Sequence, residues 1–299
     1  MKLIKYLLNP KKSLLYLMNK GYLGFIPDKI YIKWKWRLLT GKKLNLVNPK
    51  TFNEKLQWLK LYDRKEIYTT MVDKYEVKKY VANIIGEKYI IPTLGVYNDF
   101  SEIDFSTLPN QFVIKCTHDS GGLVIVKDKS QLDIESAKKK INKCLKRNYY
   151  YSDREWPYKN VKARIIIEKY MEDKTNKSMQ DYKFFCFDGT PKIMYLSEGL
   201  ENHLTASMSF FDMDFKMTDC KRKDYNVLRY QPNKPKKFEK MKELAGVLSK
   251  GFPHLRVDFY DINGNIYFGE LTFYTCAGLL PFENEKWDLY LGEMITLPR

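Results

Sequence analysis

Three stretches of this chain carry residues whose types and spacing could do chemistry. The first is Phe112–Gly122, where Lys115 ends an otherwise apolar strand and His118, Ser120, Gly121 and Gly122 follow in a short polar turn. A lysine inside an apolar strand is costly unless its ammonium meets an anion. Paired glycines let backbone amides approach such an anion closely. The pattern suits a phosphate clamp, and it also suits a lysine snorkelling to solvent beside a β-turn. The second stretch, Ile165–Met171, is an apolar strand that passes into Glu168, Lys169, Tyr170 and Met171. Read by itself, it also fits a buried strand reaching the surface at Glu168.

The third stretch is a pair of strands, Arg256–Tyr260 and Tyr267–Tyr274. Side chains two apart on a strand share a face. Arg256 therefore sides with Asp258, and Glu270 with Thr272, while Val257, Phe259, Leu271 and Phe273 take the other side. Where the two polar faces coincide, two carboxylates and a hydroxyl offer hard oxygen ligands for a Mg²⁺ ion that bridges phosphates. The guanidinium beside them suits charge developing at a phosphoryl or acyl centre. A solvated polar face laced with ion pairs is the competing reading.

Such residues need strands and turns to hold them. Asp188-Gly189 and Asn263-Gly264 stand between apolar runs and predict hairpins over 181–196 and 255–273. Strands are expected at 111–116, 123–127 and 163–171, with an extended, buried segment from Tyr89 to Tyr97. Thr51-Phe52-Asn53-Glu54 reads as a capping box that opens a helix to about Tyr62. Val77, Val81 and Ile84 mark a helix stopping at Gly86, a left-handed cap candidate. Asp133 caps another with Ile134, Ala137, Ile141, Cys144 and Leu145 on its stripe, and Phe238, Met241, Leu244 and Leu248 mark a fourth. The whole predicts an α+β fold of antiparallel sheets decorated by helices.

Composition sets the outer limits. The 299 residues are 44% hydrophobic and 29% charged, so a packed core is expected and wholesale disorder is not. No apolar run approaches the roughly 20 residues that span a bilayer. The net charge of +16 calls for a polyanionic partner. Residues 1–46 contain eleven basic side chains and a single acid, Asp28, which places +10 of that excess in one segment. Two readings of the segment stay open: a basic amphipathic element lying on anionic lipid, or helices packed on the body with their lysines in water. Charge interrupts every apolar stretch there, which argues against a signal peptide. Five cysteines without a CxxC pair and three scattered histidines predict a reduced, cytoplasmic protein without a zinc site, at most peripheral on the inner membrane face.

Taken in order, the three chemical stretches resemble the ATP-grasp superfamily. Within it, Asn48–Leu56, Asp181–Phe187 and Gly269–Tyr274 are similar to the TupA-like group of polysaccharide-biosynthesis proteins. The likeness spans about residues 45–299 and includes Asp73-Lys74 through Ile91-Pro92. It implies two α+β lobes holding ATP between antiparallel sheets, with a basic N-terminal segment (1–46), an N-terminal lobe (47–110), a central subdomain (111–165) and a C-terminal lobe (166–299).

The resemblance also implies roles. Lys115 would bind the α- and β-phosphates, with the loop His118, Ser120, Gly121 and Gly122 closing over them. Glu168 and the backbone of Lys169 and Met171 would read adenine beside Tyr170. Asp258, Glu270 and Thr272 would hold Mg²⁺, although Thr272 stands where the superfamily has an asparagine. Arg256 and the Gly278 amide would steady the acyl phosphate and oxyanion, and Lys183 would contribute to phosphate binding. The implied reaction is ATP-dependent carboxylate–amine ligation on a uronic acid of a capsular or cell-wall glycan, which rides a lipid carrier at the inner membrane face. The amine would come from an amino acid or an aminopolyol. A glycosyltransferase of the same pathway is the rival, with Asp212-Met213-Asp214 as its metal-motif letters. A nucleic-acid binder is not expected, because it would carry its charge on the folded face rather than at one end.

Overall fold

The computed structural model of the chain describes residues 9–119, 121–174, 179–199 and 206–298. Its frame is two antiparallel sheets. The first contains β1 (Thr93–Tyr97), β2 (Phe112–Cys116), β3 (Leu123–Val126) and β4 (Ile165–Lys169), in the order β1-β4-β2-β3. The second contains β5 (Gln180–Phe187), β6 (Thr190–Glu198), β7 (Ser207–Phe211), β8 (Leu255–Ile262) and β9 (Asn265–Thr272), in the order β7-β6-β5-β8-β9. Both hairpin signals are used: Asp188 and Asn263 take positive φ (44° and 53°), each followed by a glycine in the same region.

Alternation decides which residues face outward. On the first sheet Phe112, Ile114, Cys116, Ile165 and Ile167 turn to a core shared with Ala137 and Ile141 of helix α6 (Ile134–Leu145). Val113, Lys115, Ile166 and Glu168 take the opposite face. On the second sheet Phe184, Val257, Phe259 and Leu271 share the main core with Phe238, Met241, Leu244 and Leu248 of α7 (Phe238–Ser249). The Phe184 and Phe238 rings lie 5.7 Å apart.

The capping box forms as expected. The Thr51 hydroxyl accepts from the Glu54 amide (3.1 Å), and the Glu54 carboxylate accepts from the Thr51 amide (3.3 Å), opening α3 (Phe52–Tyr62). Two shorter helices, α4 (Ile67–Val72) and α5 (Glu76–Ile85), follow. Asp73 joins them by accepting from the Tyr75 amide (2.9 Å) and pairing with Arg164 (2.7 Å).

Several expectations need correction. Gly86 ends α5 at φ 108° and ψ 148°, which is outside the left-handed helical region. The segment from Tyr89 opens with a 3₁₀ turn (Glu87–Tyr89), and β1 starts at Thr93 with Thr93 and Leu94 exposed, because it is a sheet edge. Ile134 is also exposed rather than on the buried stripe of α6. The boundary expected at 165/166 runs through β4, an inner strand of the first sheet.

The basic N-terminal segment is built into the body. Its first eight residues lie outside the described ones; helices α1 (Pro10–Asn19) and α2 (Asp28–Thr40) follow. Met18, Tyr31, Ile32 and Trp36 are buried. Arg154, fully buried and left-handed (φ 56°), donates to the carbonyls of Leu23 (2.9 Å) and Ile26 (3.2 Å) and lies 4.1 Å from the Tyr31 ring centroid. The packed reading therefore holds for the inner faces of both helices. The outer side stays open, with Ile30 and Trp34 of α2 and Tyr22 and Phe25 of the turn between the helices exposed. Among the described residues no helix is long and apolar enough to cross a membrane.

Candidate active site

The outward faces of the two sheets meet across a cleft of about 130 Å³. Lys115 and Glu168 line it from the first sheet, Tyr260 and Phe268 through Leu271 from the second. Met71, Val72, Lys74, Val77 and Lys78, in and between α4 and α5, close one side. Leu123 and Ile125, each directly opposite a cleft-facing residue of β2 (Lys115 and Val113), extend the first sheet's surface as exposed apolar ground.

On this wall Glu168 is nearly buried and sits between two ammonium groups. Lys115 Nζ lies 2.6 Å from its carboxylate, and Lys78 pairs with the other oxygen. Burial alone would raise the Glu168 carboxyl, but Lys115 and Lys78 outweigh it and hold the group below its ordinary range. Lys74 donates to the Asp119 carbonyl (2.6 Å), and burial lowers its pKa. Three lysines thus converge here, two of them from the α4–α5 segment.

On the opposite wall the two polar faces coincide, as the spacing implied. Arg256 stands opposite Thr272 and Asp258 opposite Glu270, with a bulge at Gly269 that shifts the register beyond. The Arg256 guanidinium grips Asp258 through Nε and Nη2 (both 2.7 Å), and its Nη2 lies 3.6 Å from Glu270. Lys183, opposite Asp258 on β5, donates to it at 2.7 Å and also pairs with Asp181. Burial would raise Asp258, yet Arg256 and Lys183 outweigh it and hold the carboxyl low. Burial, with the Asp258 charge nearby, pushes Asp181 up to about 6 against the pull of Lys183.

The donor set fits a Mg²⁺ ion carried in by phosphates. Among the described residues no three His, Cys, Asp or Glu side chains form a ready-made metal cage. Mg²⁺ commonly takes one or two carboxylates and completes its shell with water and substrate phosphate. Glu270 is 42% exposed toward such a ligand, and the buried Thr272 hydroxyl has no hydrogen-bond partner, as a donor set awaiting a ligand would leave it.

Other expected site residues fall differently. His118 turns to the end of α6, where Nε2 lies within 3.2 Å of the Cys144 carbonyl and 3.0 Å of the Arg147 carbonyl; it anchors the loop. Gly122 is required by packing, since a Cβ there would come within 2.7 Å of Cys116 Sγ, whereas a Cβ at Gly121 would make only an ordinary contact, 3.7 Å from Asp119 Oδ2. Ser120 lies outside the described residues. The Lys169 amide donates to the Pro92 carbonyl (3.0 Å). Tyr170 and Met171 follow β4 half-buried. Gly278 (φ 67°) ends the turn after β9. The rival metal motif is spent locally: Asp212 accepts from the amides of Asp214 (3.0 Å) and Lys216 (2.8 Å) in a tight turn.

Sequence reasoning gave no role to Lys74 or Lys78. Their spacing of four was the available signal, but lysines at that spacing ordinarily mark a solvated helix face.

The chain is similar to the D-alanine–D-alanine ligase of Helicobacter pylori, at 16% identity over 82% of this chain and 69% of that one, with a TM-score of 0.44. It is similar to the Bacillus anthracis enzyme complexed with ATP, at 15% identity over 76% and 63%, TM-score 0.42. It is also similar to the ATP-grasp ligase PsnB complexed with a phosphomimetic variant of its minimal precursor, Mg and ADP, at 11% identity over 74% and 57%, TM-score 0.42. The chain spans less than two thirds of the last two. No curated protein matches it. A family model for TupA-like ATP-grasp proteins matches residues 54–296, both walls of the cleft included; the chain belongs to the TupA-like ATP-grasp family, and its paired antiparallel sheets form an ATP-grasp fold.

Proposed function

We propose that this protein is an ATP-dependent carboxylate–amine ligase that forms an amide on a uronic acid of a surface polysaccharide. The observation that carries the reading is that Lys115, Lys74 and Lys78 face Glu270 across the cleft, with Asp258 opposite Glu270 and Arg256 opposite Thr272 in the adjoining strand pair. ATP bound between them meets cations along its phosphates and hard oxygen donors at its metal. A uronate carboxylate attacks the γ-phosphoryl group, giving an acyl phosphate and ADP. An amine then attacks the acyl carbon, and phosphate leaves as the amide forms. Phosphoryl transfer needs positioned charge more than covalent help. Arg256, gripped by Asp258, supplies charge at the reacting group, while Asp258, Glu270 and Thr272 would hold Mg²⁺, which would supply charge neutralisation at the phosphates.

The outer face of α1–α2 supports a second part of the reading, docking on the anionic inner membrane surface where lipid-linked glycans reside. Lys29, Ile30, Lys33, Trp34 and Arg37 share the outward side of α2, mixing cations with exposed apolar groups. Incubating the purified protein with Mg²⁺–ATP, a uronate-bearing glycan and hydroxylamine tests the chemistry. The expected result is ADP, phosphate and a hydroxamate. Release of UDP from a nucleotide sugar, with ATP ignored and no hydroxamate, would overturn the assignment.

A further inference from the structure

β9 runs into a turn over Thr275–Gly278, in which Cys276 (φ 50°, ψ 38°), Ala277 (φ 55°, ψ 30°) and Gly278 (φ 67°) are left-handed in succession. In an L-residue this conformation presses Cβ against the following carbonyl oxygen, so such residues adopt it singly rather than in runs. A run with two non-glycine members persists when its surroundings over-determine it.

The surroundings here are two side chains of α3. Gln57 Nε2 donates to the carbonyls of Ala277 (3.0 Å) and Gly278 (2.6 Å). Lys60 Nζ donates to the Ala277 carbonyl (2.6 Å) and to the Asp153 carbonyl (2.9 Å). Both are buried, at 3% and 2% exposure, and their spacing of three puts them on one side of the helix. The fit is close: a Cβ at 278 would stand 2.6 Å from Gln57 Nε2. In a helical turn of either hand the carbonyls point one way along the axis and the N–H groups the other. With the carbonyls bound to α3, the amides of the turn face away from it. Arg256 stands opposite Thr272, the last residue of β9, and the turn begins three residues further on, so it follows directly from the strand pair that carries the guanidinium.

We propose that Gln57 and Lys60 are positioning residues: by holding the carbonyls of Ala277 and Gly278 they keep the 275–278 turn left-handed and its amides aimed at an anion beside Arg256. Within the ligase reading, on which this rests, that anion is the phosphate or acyl-phosphate group. Neither side chain touches the substrate. Each acts through the backbone it holds.

The test measures binding of inorganic phosphate to the full-length protein saturated with Mg²⁺–ADP, by calorimetry. Gln57→Met keeps the volume and removes the donor. It should weaken phosphate binding about tenfold or more, while Mg²⁺–ADP affinity stays within about twofold. Adding Ala277→Gly, which relieves the left-handed penalty without restoring the donor, should recover much of the phosphate affinity. A residue that merely fills space would show no such rescue. Should Gln57→Met fail to fold, Gln57→Asn falls one methylene short of the carbonyls and should give the same loss. Unchanged phosphate affinity in a folded Gln57 variant, or no rescue by Ala277→Gly, would overturn the inference while leaving the ligase reading intact. Absence of Mg²⁺–ADP binding by the unmodified protein would instead overturn the ligase reading, and the inference with it.

Discussion

Lys115 and Glu168 lie on neighbouring strands of the first sheet, and the ammonium of one stands 2.6 Å from the carboxylate of the other. The residue expected to bind phosphates and the residue expected to read adenine are therefore each other's partners. Their coupling gives Glu168 a further task, because it also holds Lys78 and so sets the position of two cations.

Lys115→Ala is therefore expected to weaken ATP binding and lower turnover by roughly 10²–10³, the scale for losing one positioned charge. Glu168→Gln should cost more in stability than Lys115→Ala, since it leaves two ammonium groups without their shared anion, one of them well buried. Nucleotide titration and thermal unfolding of the two variants check both parts. Equal ATP affinity in folded Lys115→Ala would remove Lys115 from the site.

The two carboxylates opposite each other in the hairpin differ in how much stability rests on each. Asp258 is 1% exposed and accepts three charged hydrogen bonds, so Asp258→Asn strands Arg256 and Lys183 and should cost about 3–5 kcal/mol of stability. Glu270 has one long ionic contact, to Arg256 at 3.6 Å. Glu270→Gln should melt within a few degrees of the parent and still lose turnover by about 10² or more, because the metal loses a charged ligand. Denaturant unfolding and phosphate release distinguish the pair. A Glu270→Gln protein of full activity would take Glu270 out of the metal site.

Much of this face was legible from spacing. The period of two on strands fixes that Arg256, Asp258, Glu270 and Thr272 share a surface once Asn263-Gly264 pairs the strands. The α3 capping box was legible for a similar reason, since its partners are three residues apart. What local pattern could not give is contact between remote elements. Gln57 and Lys60 read as ordinary residues of a helix until the 275–278 turn arrives against them from over two hundred residues away. The N-terminal segment stayed open to two readings because an apolar stripe with lysines suits a protein body and a lipid surface alike. Arg154, more than a hundred residues on, decides its inner face.

His254 should make stability depend on acid. Its Nδ1 donates to the Cys186 carbonyl (3.1 Å), and Phe52 and Phe187 pack against the ring at centroid distances of 4.9 and 5.1 Å. Burial lowers its pKa to about 3, so the unfolded chain takes up this proton before the folded one does. Stability from this group is intact above about pH 6.5 and falls as the pH drops toward about 3, by about 1.4 kcal/mol per unit. His254→Phe should flatten that slope. Denaturant unfolding between pH 4 and 8 compares the two, and parallel pH profiles would contradict the assignment.

Removing the whole basic segment would not test membrane docking cleanly, because it uncovers Arg154 and takes away the buried rings of Tyr31 and Trp36. The outer face can be altered alone. Phe25 is 81% exposed and Trp34 49%, and neither contributes to the buried cores. Rings at such exposure insert at a headgroup boundary, while each nearby lysine adds about 1 kcal/mol on an anionic surface. The Phe25→Ala, Trp34→Ala double variant should melt like the parent and bind anionic vesicles about tenfold more weakly, a figure set by the apolar area it no longer buries. Raising salt should release the parent as well, since the Debye length shrinks from about 8 Å toward 3 Å at 1 M. Vesicle sedimentation with anionic and neutral lipid reads both effects. Binding that ignores lipid charge, salt and the two rings alike would show that this face meets something other than a membrane.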